Sequence, residues 1–231
     1  MLYRWAALEK RTACELMIWP RCGMIAHGLR NQQRWQGNRP VELLSFFKEY
    51  LASPKYVGTI APSSRLLAET ITDAAGVRQA SSVVEFGPGT GVFTEVIARK
   101  IPNDATFIAI ELSEDFVKTV RKKCPTAQVF HGSAVDARRF IESVGLKYCD
   151  CIVSGLPFAL FEDDLQAKIL DAAVDILKPG GVFTTFTYFF SPSLPAGKKL
   201  LHNIEARFSR VERTPTVWLN LFPAFAYRAI K

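Results

Sequence analysis

A glycine-rich turn and a more distant acid are the residues of this chain best suited to chemistry. The turn, Glu85-Phe-Gly-Pro-Gly-Thr-Gly91, follows an apolar run, and Glu111 ends the next apolar run, 20 residues after Gly91. Because glycine has no Cβ, a ligand can lie directly against the backbone of such a turn. A carboxylate at the end of the next strand can accept both hydroxyls of a ribose. A dinucleotide fingerprint would place its third glycine at position 92, which is Val. The pattern therefore indicates a different nucleoside-bearing cofactor.

The elements that must position these residues alternate along the chain. Helical patterns at 91–101, 113–123, 136–144 and 162–178 separate apolar runs at 82–86, 106–111, 127–131, 150–154 and 182–188. This βαβα alternation predicts a parallel sheet with helices on both faces. Two further strands are expected over 211–216 and 225–230. In such sheets ligands bind beyond the carboxyl ends of the strands, so each strand end is expected to contribute to one site.

Two of the later strand ends carry candidate binding residues. Ser133 and Ala134 follow the third apolar run, where small residues leave room for an adenine ring and a hydroxyl can meet its amino group. The segment 154–158, Ser-Gly-Leu-Pro-Phe, follows the fourth run. There we expect it to form the wall between the cofactor and the group that it modifies.

The spacing Glu-x-Gly-x-Gly-x-Gly with a strand-end acid resembles motifs I and II of the class I S-adenosylmethionine-dependent methyltransferases. The resemblance implies S-adenosyl-L-methionine as cofactor and an α/β, Rossmann-like fold. That fold has a seven-stranded, mostly parallel sheet with helices on both faces, here with an N-terminal helical extension. Glu85 is expected either to anchor the methionine ammonium of the cofactor or to serve the turn as a structural acceptor. The predicted cofactor-binding residues are Glu85, Gly87, Gly89, Thr90, Gly91, Glu111, Leu112, Ser133, Ala134 and Ser154.

Three zones of the chain differ in charge and pattern. Residues 1–38 form a basic extension, since positions 1–40 hold seven Lys and Arg against two Glu, within a net charge of +7 for the whole chain. Residues 39–76 predict two helices, at 41–52 and 62–76, which we expect to form a lid or to face a membrane. Residues 77–231 are expected to form the methyltransferase domain. The basic zone would suit an anionic lipid surface or the phosphates of RNA.

Cysteine usage and hydropathy argue against several classes of protein. The five cysteines contain no CxxC pair, which argues against a disulfide framework and a structural zinc site, and we expect no metal. No uncharged apolar run reaches the roughly 18 residues that a membrane span needs. Charged residues also interrupt the one candidate core of a signal peptide.

Four segments resemble a narrower group, the soluble bacterial phospholipid N-methyltransferases, over roughly residues 41–231. They are residues 54–64, 154–158, 186–192 and 220–224. The resemblance implies stepwise methylation of phosphatidylethanolamine towards phosphatidylcholine, by a cytoplasmic enzyme held peripherally at the inner face of the membrane. A related branch methylates ornithine lipids, and this alternative stays open.

The same group overlaps in sequence with the ribosomal RNA adenine N6-dimethyltransferases, which carry Asn where this chain has Gly155. That departure makes a nucleic-acid partner the weaker alternative. A small-molecule amine methyltransferase would leave the basic extension without a role. A non-catalytic adaptor would be expected to have lost Gly89 or Glu111, and both are present. The number of methyl groups added and the oligomeric state stay open.

The acceptor side of the site is expected to be aromatic. Tyr188, at the end of the fifth strand, is the first candidate to orient the amine or relay its proton, with wall packing as the alternative. Tyr56 is the second catalytic candidate, and it could close the pocket together with Tyr50. The helix at 41–52 mixes aromatic and basic residues as interfacial helices do, so we expect an anionic or zwitterionic lipid surface as partner. The predicted substrate-binding residues are Tyr50, Ser63, Ser64, Gly155, Leu156, Phe158 and Asn220.

Overall fold

A computed structural model describes residues 62–220 and 222–231 of the chain. The basic extension, the helix expected at 41–52 and the candidates Tyr50 and Tyr56 lie outside the described residues. The backbone of Ser63 and Ser64 belongs to the first described helix, but their side chains are also outside the description. The roles predicted for these residues therefore stay predictions.

The described chain alternates strands and helices as the sequence pattern predicts. The helices are α1 (Pro62–Ala75), α2 (Val92–Lys100), α3 (Glu114–Lys123), α4 (Ala137–Ser143), α5 (Asp163–Ile176) and α6 (Pro195–Glu205). The strands are β1 (Ser82–Phe86), β2 (Thr106–Glu111), β3 (Gln128–His131), β4 (Cys149–Ser154), β5 (Leu177–Tyr188), β6 (Arg210–Arg213) and β7 (Ala224–Ile230). The strand expected at 211–216 spans Arg210–Arg213 instead. The N–H of Thr214 still donates to the carbonyl of Ala226, but the next residue is Pro215, which has no N–H to continue the pairing.

The seven strands form one sheet in the order β3-β2-β1-β4-β5-β7-β6. The strands from β3 to β5 run parallel, and β7 runs antiparallel to both of its neighbours, β5 and β6. The predicted fold class, a Rossmann-like α/β domain with a mostly parallel sheet, is confirmed. The order places the carboxyl ends of β1, β2, β4 and β5 along one edge of the sheet, where the start of β7 joins them.

Both faces of the sheet are covered, because alternate residues of each strand enter one of two apolar clusters. Val84, Phe86 and Ile152 belong to the cluster that also contains Leu170 and Phe183. On the opposite face, Val83, Val153 and Ala109 share a cluster with Ile71 of α1 and Ile97 of α2. Helix α1 is thus part of the core that supports the glycine turn.

Buried Lys100 joins α1 to α2. Its ammonium lies 2.7 Å from a carboxylate oxygen of Glu69 and 2.6 Å from one of Asp73. It also donates a hydrogen bond of 2.8 Å to the hydroxyl of Thr72. The nearby Lys100 hydrogen bond and charge lower the pKa of the Glu69 carboxyl. These contacts hold α1 in place on the helix that begins at the glycine turn.

Within residues 62–220 and 222–231, no helix is both long and apolar enough to cross a membrane.

Candidate active site

The glycine turn approaches the end of β4 so closely that side chains are excluded. The backbone N–H of Gly155 donates a hydrogen bond of 2.8 Å to the carbonyl of Phe86. A Cβ on Gly155 would lie 2.6 Å from the carbonyl oxygen of Gly87, and a Cβ on Gly87 would lie 2.4 Å from Cδ2 of Leu156. The glycine at 155 is therefore required by the backbone contact between β1 and β4. Asparagine there would displace the turn.

The turn itself has the backbone conformation that glycine permits. Gly87, Gly89 and Gly91 have φ values of 67°, 54° and 88°, a left-handed region that other residues rarely adopt. Space is open around the position of a Gly89 Cβ. Thr90 lies between two of these glycines, and its carbonyl accepts a hydrogen bond of 2.9 Å from the ammonium of Lys123. The open side of the turn therefore presents bare backbone. On its other side, Lys123 of α3 holds the turn in place.

Glu111 joins the end of β2 to the turn. One carboxylate oxygen accepts a hydrogen bond of 2.9 Å from the backbone N–H of Gly89, and the other accepts one of 2.9 Å from the N–H of Ser113. The residue is 8% exposed. A carboxylate has about four lone-pair sites, so each oxygen can accept a second hydrogen bond. These two acceptor oxygens fit the two hydroxyls of a ribose.

Glu85 lies in the same region but has a different environment. The residue is fully buried, and neither carboxylate oxygen has a hydrogen-bond partner in the described part of the chain. Burial raises the pKa of Glu85 to about 8, an effect opposed by the nearby hydroxyl of Thr94 and reinforced by the charge of Glu111. A buried carboxyl without partners is costly to ionise unless a cation comes to it. The ammonium of a bound amino acid is such a cation, so this side of the site also fits S-adenosylmethionine.

The residues predicted for the adenine side lie at the ends of β2 and β3. Leu112 is 72% exposed, and its carbonyl lies 3.0 Å from Nε2 of His131. Ser133 accepts a hydrogen bond of 3.2 Å from the N–H of Val135. Ala134 is buried. The structure places these residues together at the edge beside Glu111, and their predicted contacts with the cofactor stay predictions.

Two residues after β4 lie deeper than expected. Ser154 is fully buried, and its hydroxyl accepts a hydrogen bond of 3.3 Å from the N–H of Leu156. Phe158 is 1% exposed, and its ring centroid lies 5.8 Å from that of Phe161 and 6.1 Å from that of Phe183. Phe158 therefore packs in the core, and its predicted contact with the substrate stays a prediction. The apolar pattern after β4 could not show that Ser154 and Phe158 are buried.

Tyr188 ends β5 within a cluster of aromatic rings. Its ring is stacked on Phe190 at a centroid distance of 5.9 Å and meets Phe186 and Phe222 edge-on at 5.7 and 6.2 Å. Sequence reasoning named Tyr188 but missed Phe190 and Phe222 as its neighbours. The aromatic run 186–190 was a usable signal for Phe190. Phe222 is brought there by the pairing of Tyr188 with Ala224 across β5 and β7.

Asn220 lies close to this aromatic cluster. Its Nδ2 donates a hydrogen bond of 2.9 Å to the carbonyl of Phe222, and its Oδ1 is buried and has no hydrogen-bond partner among the residues that the structure describes. A buried carbonyl oxygen without a donor costs free energy. The N–H of an amine is a donor that would satisfy it.

A family described as "Methyltransferase domain" matches residues 83–181. The chain is also similar to a curated protein over 73% of the length of that protein. The fold, the glycine turn with Glu111 and this similarity together assign the chain to the class I S-adenosylmethionine-dependent methyltransferases. The relative is the ornithine lipid N-methyltransferase of Singulisphaera acidiphila, which is 32% identical over 145 residues, or 62% of this chain and 73% of that protein. The predicted cofactor, S-adenosyl-L-methionine, is confirmed.

Solved structures show the same fold. The N-methyltransferase NodS from Bradyrhizobium japonicum WM9, in complex with S-adenosyl-L-homocysteine, is 15% identical with a TM-score of 0.60, over 81% of this chain and 97% of that chain. The O-methyltransferase from Bacillus cereus, also in complex with S-adenosylhomocysteine, is 17% identical with a TM-score of 0.58, over 83% and 90% of the two chains. At these identities the likeness concerns the fold alone.

Proposed function

We propose that this methyltransferase N-methylates the amine of a membrane lipid headgroup. Phosphatidylethanolamine, on the way to phosphatidylcholine, is the acceptor that the resemblance in sequence favours, and ornithine lipid is the alternative. The observation that carries the proposal is the similarity to an ornithine lipid N-methyltransferase over 73% of that protein. The buried Oδ1 of Asn220, which has no partner within 62–220 and 222–231, agrees with an amine acceptor beside the aromatic cluster.

On the cofactor side, the residues of this chain bind and orient. When bound, S-adenosylmethionine supplies a methyl group on a positively charged sulfonium. Glu111 holds the ribose hydroxyls, and the backbone of Gly89 stays tied to the same carboxylate. Glu85 compensates the ammonium of the methionine moiety from its buried position. Because methyl transfer is an in-line displacement, this fixed orientation provides much of the rate enhancement.

On the acceptor side, the chain must present an amine without its extra proton. A primary amine resembling that of lysine has a pKa of about 10 in water. An apolar, aromatic pocket beside a positive sulfonium disfavours the ammonium form and lowers that pKa. Tyr188 and Asn220 orient the amine, and Tyr188 relays the proton towards water. Aromatic faces then hold the methylated product, since each cation–π contact contributes about 0.5–2 kcal/mol.

A lipid acceptor also requires access to a membrane surface. We place the enzyme peripherally at the inner, anionic face of a membrane, where each basic side chain near the surface contributes about 1 kcal/mol. The basic extension of residues 1–38 suits this role. RNA is the less favoured acceptor, because Gly155 is packed against the carbonyl of Gly87 and leaves no room for the Asn of the RNA enzymes.

The proposal is tested with the purified protein, labelled S-adenosylmethionine and separate acceptors. Phosphatidylglycerol vesicles would contain phosphatidylethanolamine, ornithine lipid or neither, and a fourth reaction would contain ribosomal RNA. We expect label in one of the two amine lipids and none in phosphatidylglycerol alone. The lipid that is labelled decides between the two acceptors. Label confined to RNA, or absent from every lipid, would contradict the proposal.

A further inference from the structure

Three large apolar side chains lie exposed at one corner of the described domain. Phe189 is 46% exposed, Trp218 is 63% exposed and Leu219 is 80% exposed. The ring centroids of Phe189 and Trp218 are 4.9 Å apart. We refer to these three residues as the apolar tip. Exposed aromatic and aliphatic side chains that lie together commonly mark an interaction surface.

The apolar tip lies at the edge of the sheet that carries the active site. Phe189 directly follows Tyr188, the last residue of β5, and its N–H donates a hydrogen bond of 2.8 Å to the carbonyl of Pro223. Trp218 and Leu219 belong to the connection between β6 and β7, and β7 begins opposite Tyr188. In the order β1-β4-β5-β7, the tip therefore lies beyond the acceptor side and away from Glu111 and β2.

The outward direction of Trp218 and Leu219 is set by the residue before them. Val217 is buried in a cluster with Leu67 and Ala224, and it exchanges two backbone hydrogen bonds with Ala224, of 2.7 and 3.3 Å. This isolated bridge holds the loop on the sheet with Val217 inward. The side chains of the next two residues, Trp218 and Leu219, are therefore exposed on a loop that Val217 fixes to the sheet.

The charged side chain that contacts the tip is basic. The sequence contains no Asp or Glu from position 176 to 204, nor from 213 to 231, and the three residues of the tip lie within these two segments. The guanidinium of Arg213 lies 5.7 Å from the ring centroid of Phe189 and 3.6 Å from that of Phe225. Trp at the headgroup level with adjacent basic residues is the composition of a membrane interface.

We propose that the apolar tip inserts into the interfacial layer of an anionic lipid bilayer. Three side chains are too few for a stable protein interface, which buries about 800 Å² on each partner, whereas a Trp and a Leu near the guanidinium of Arg213 suit an interface of lipid headgroups. This inference rests on the proposed lipid substrate and adds the surface that meets it. Docked in this way, the bilayer lies beside Tyr188, and a headgroup can reach the acceptor side without leaving the membrane.

The test compares the full-length protein with a W218S/L219S variant. Vesicles of phosphatidylglycerol, with and without the amine lipid that the enzyme methylates, would be sedimented with each protein. We expect the variant to bind both kinds of vesicle at least tenfold more weakly and to methylate vesicle lipid at least tenfold more slowly. Methylation of a short-chain amine lipid in detergent, and the Kd of the cofactor, should be unchanged. The control is Y148S, which removes an exposed aromatic residue just before β4, at the opposite edge of the sheet.

A second measurement reports on the tip itself. Replacing Trp5, Trp19 and Trp35 by Phe leaves Trp218 as the one tryptophan of the chain. Its emission should shift to shorter wavelength on adding vesicles and should be quenched by brominated lipid. Equal vesicle binding by W218S/L219S and wild type would overturn the inference, as would emission already at short wavelength without vesicles and unchanged by them. That second result would mean that another part of this chain covers the tip. Loss of vesicle binding in the variant, with no lipid methylated by the wild type, would support the tip and overturn the proposed function.

Discussion

Glu111 and Gly89 are joined by a hydrogen bond of 2.9 Å from the backbone N–H of the glycine to the carboxylate. The acid that ends β2 therefore also fixes the middle of the turn that follows β1. Because the other carboxylate oxygen accepts from Ser113, the carboxylate cannot rotate freely. The proposed ribose acceptor, Glu111, and the glycine turn are thus one preorganised unit, which would reduce the conformational cost of binding a cofactor.

Replacing Glu111 by Ala is expected to weaken cofactor binding by tenfold or more. A hydrogen bond to a charged group contributes about 1.5–3 kcal/mol, and two such bonds to ribose would be lost together with the support of Gly89. Isothermal titration calorimetry with S-adenosylhomocysteine measures the effect. The control is E114A, since Glu114 is a largely exposed acid just beyond β2. An unchanged Kd for E111A would remove Glu111 from the ribose site.

Glu85 is expected to make the stability of the ligand-free protein depend on pH. Its pKa is raised from 4.5 to about 8, so between these values the folded state keeps a proton that the unfolded state has lost. The wild-type free energy of unfolding should therefore fall as pH rises from 4.5 to 8, by up to about 1.4 kcal/mol per pH unit from this group. The E85Q variant lacks this contribution.

Denaturant unfolding of wild type and E85Q at several pH values between 5 and 8 checks this prediction. The stability of E85Q relative to wild type should increase steadily with pH. In the same variant the cofactor should bind more weakly, since Gln cannot compensate an ammonium. Parallel pH profiles of the two proteins would show that Glu85 is ionised without a ligand.

The G155N substitution is expected to destabilise the fold by about 1–3 kcal/mol, the usual cost of forcing extra atoms into a packed site. The added Cβ would lie 2.6 Å from the carbonyl of Gly87, and the displaced turn should also bind the cofactor less tightly. G145N is the matched control. Gly145 has a φ of 80° with open space around it, and Asn tolerates this conformation better than most residues. Equal stability of the two variants, by thermal unfolding, would refute the close contact.

Replacing Tyr188 by Phe tests the hydroxyl and keeps the aromatic cluster. If the hydroxyl orients the amine or relays its proton, kcat for lipid methylation should fall by about 10²–10⁴-fold, the usual contribution of a positioned acid–base group. The Kd of the cofactor and the thermal stability should change little. F190L is the companion variant, because it removes the stacked partner of Tyr188 and leaves the hydroxyl in place. A Y188F enzyme with wild-type kcat would assign Tyr188 to the wall alone.

The pattern of the chain predicted the fold class and the cofactor, and both are confirmed. Continuous apolar runs and the βαβα alternation are local properties, and the turn from Glu85 to Gly91 and the acid at Glu111 are read from spacing alone. They could be predicted because parallel strands end at a common edge, so a residue at a strand end has a known position.

Tertiary structure alone decided how the segments that follow β4, β5 and β6 are packed. Phe158 and Trp218 are both aromatic residues in loops after strands, yet one is buried in the core and the other is exposed beside the site. Gly155 is needed because β1 and β4 bring its backbone against Gly87, and Phe222 reaches Tyr188 through the antiparallel return of β7. Apolar periodicity reports which residues avoid water. It does not report which segments meet, because those contacts join residues that lie far apart along the chain.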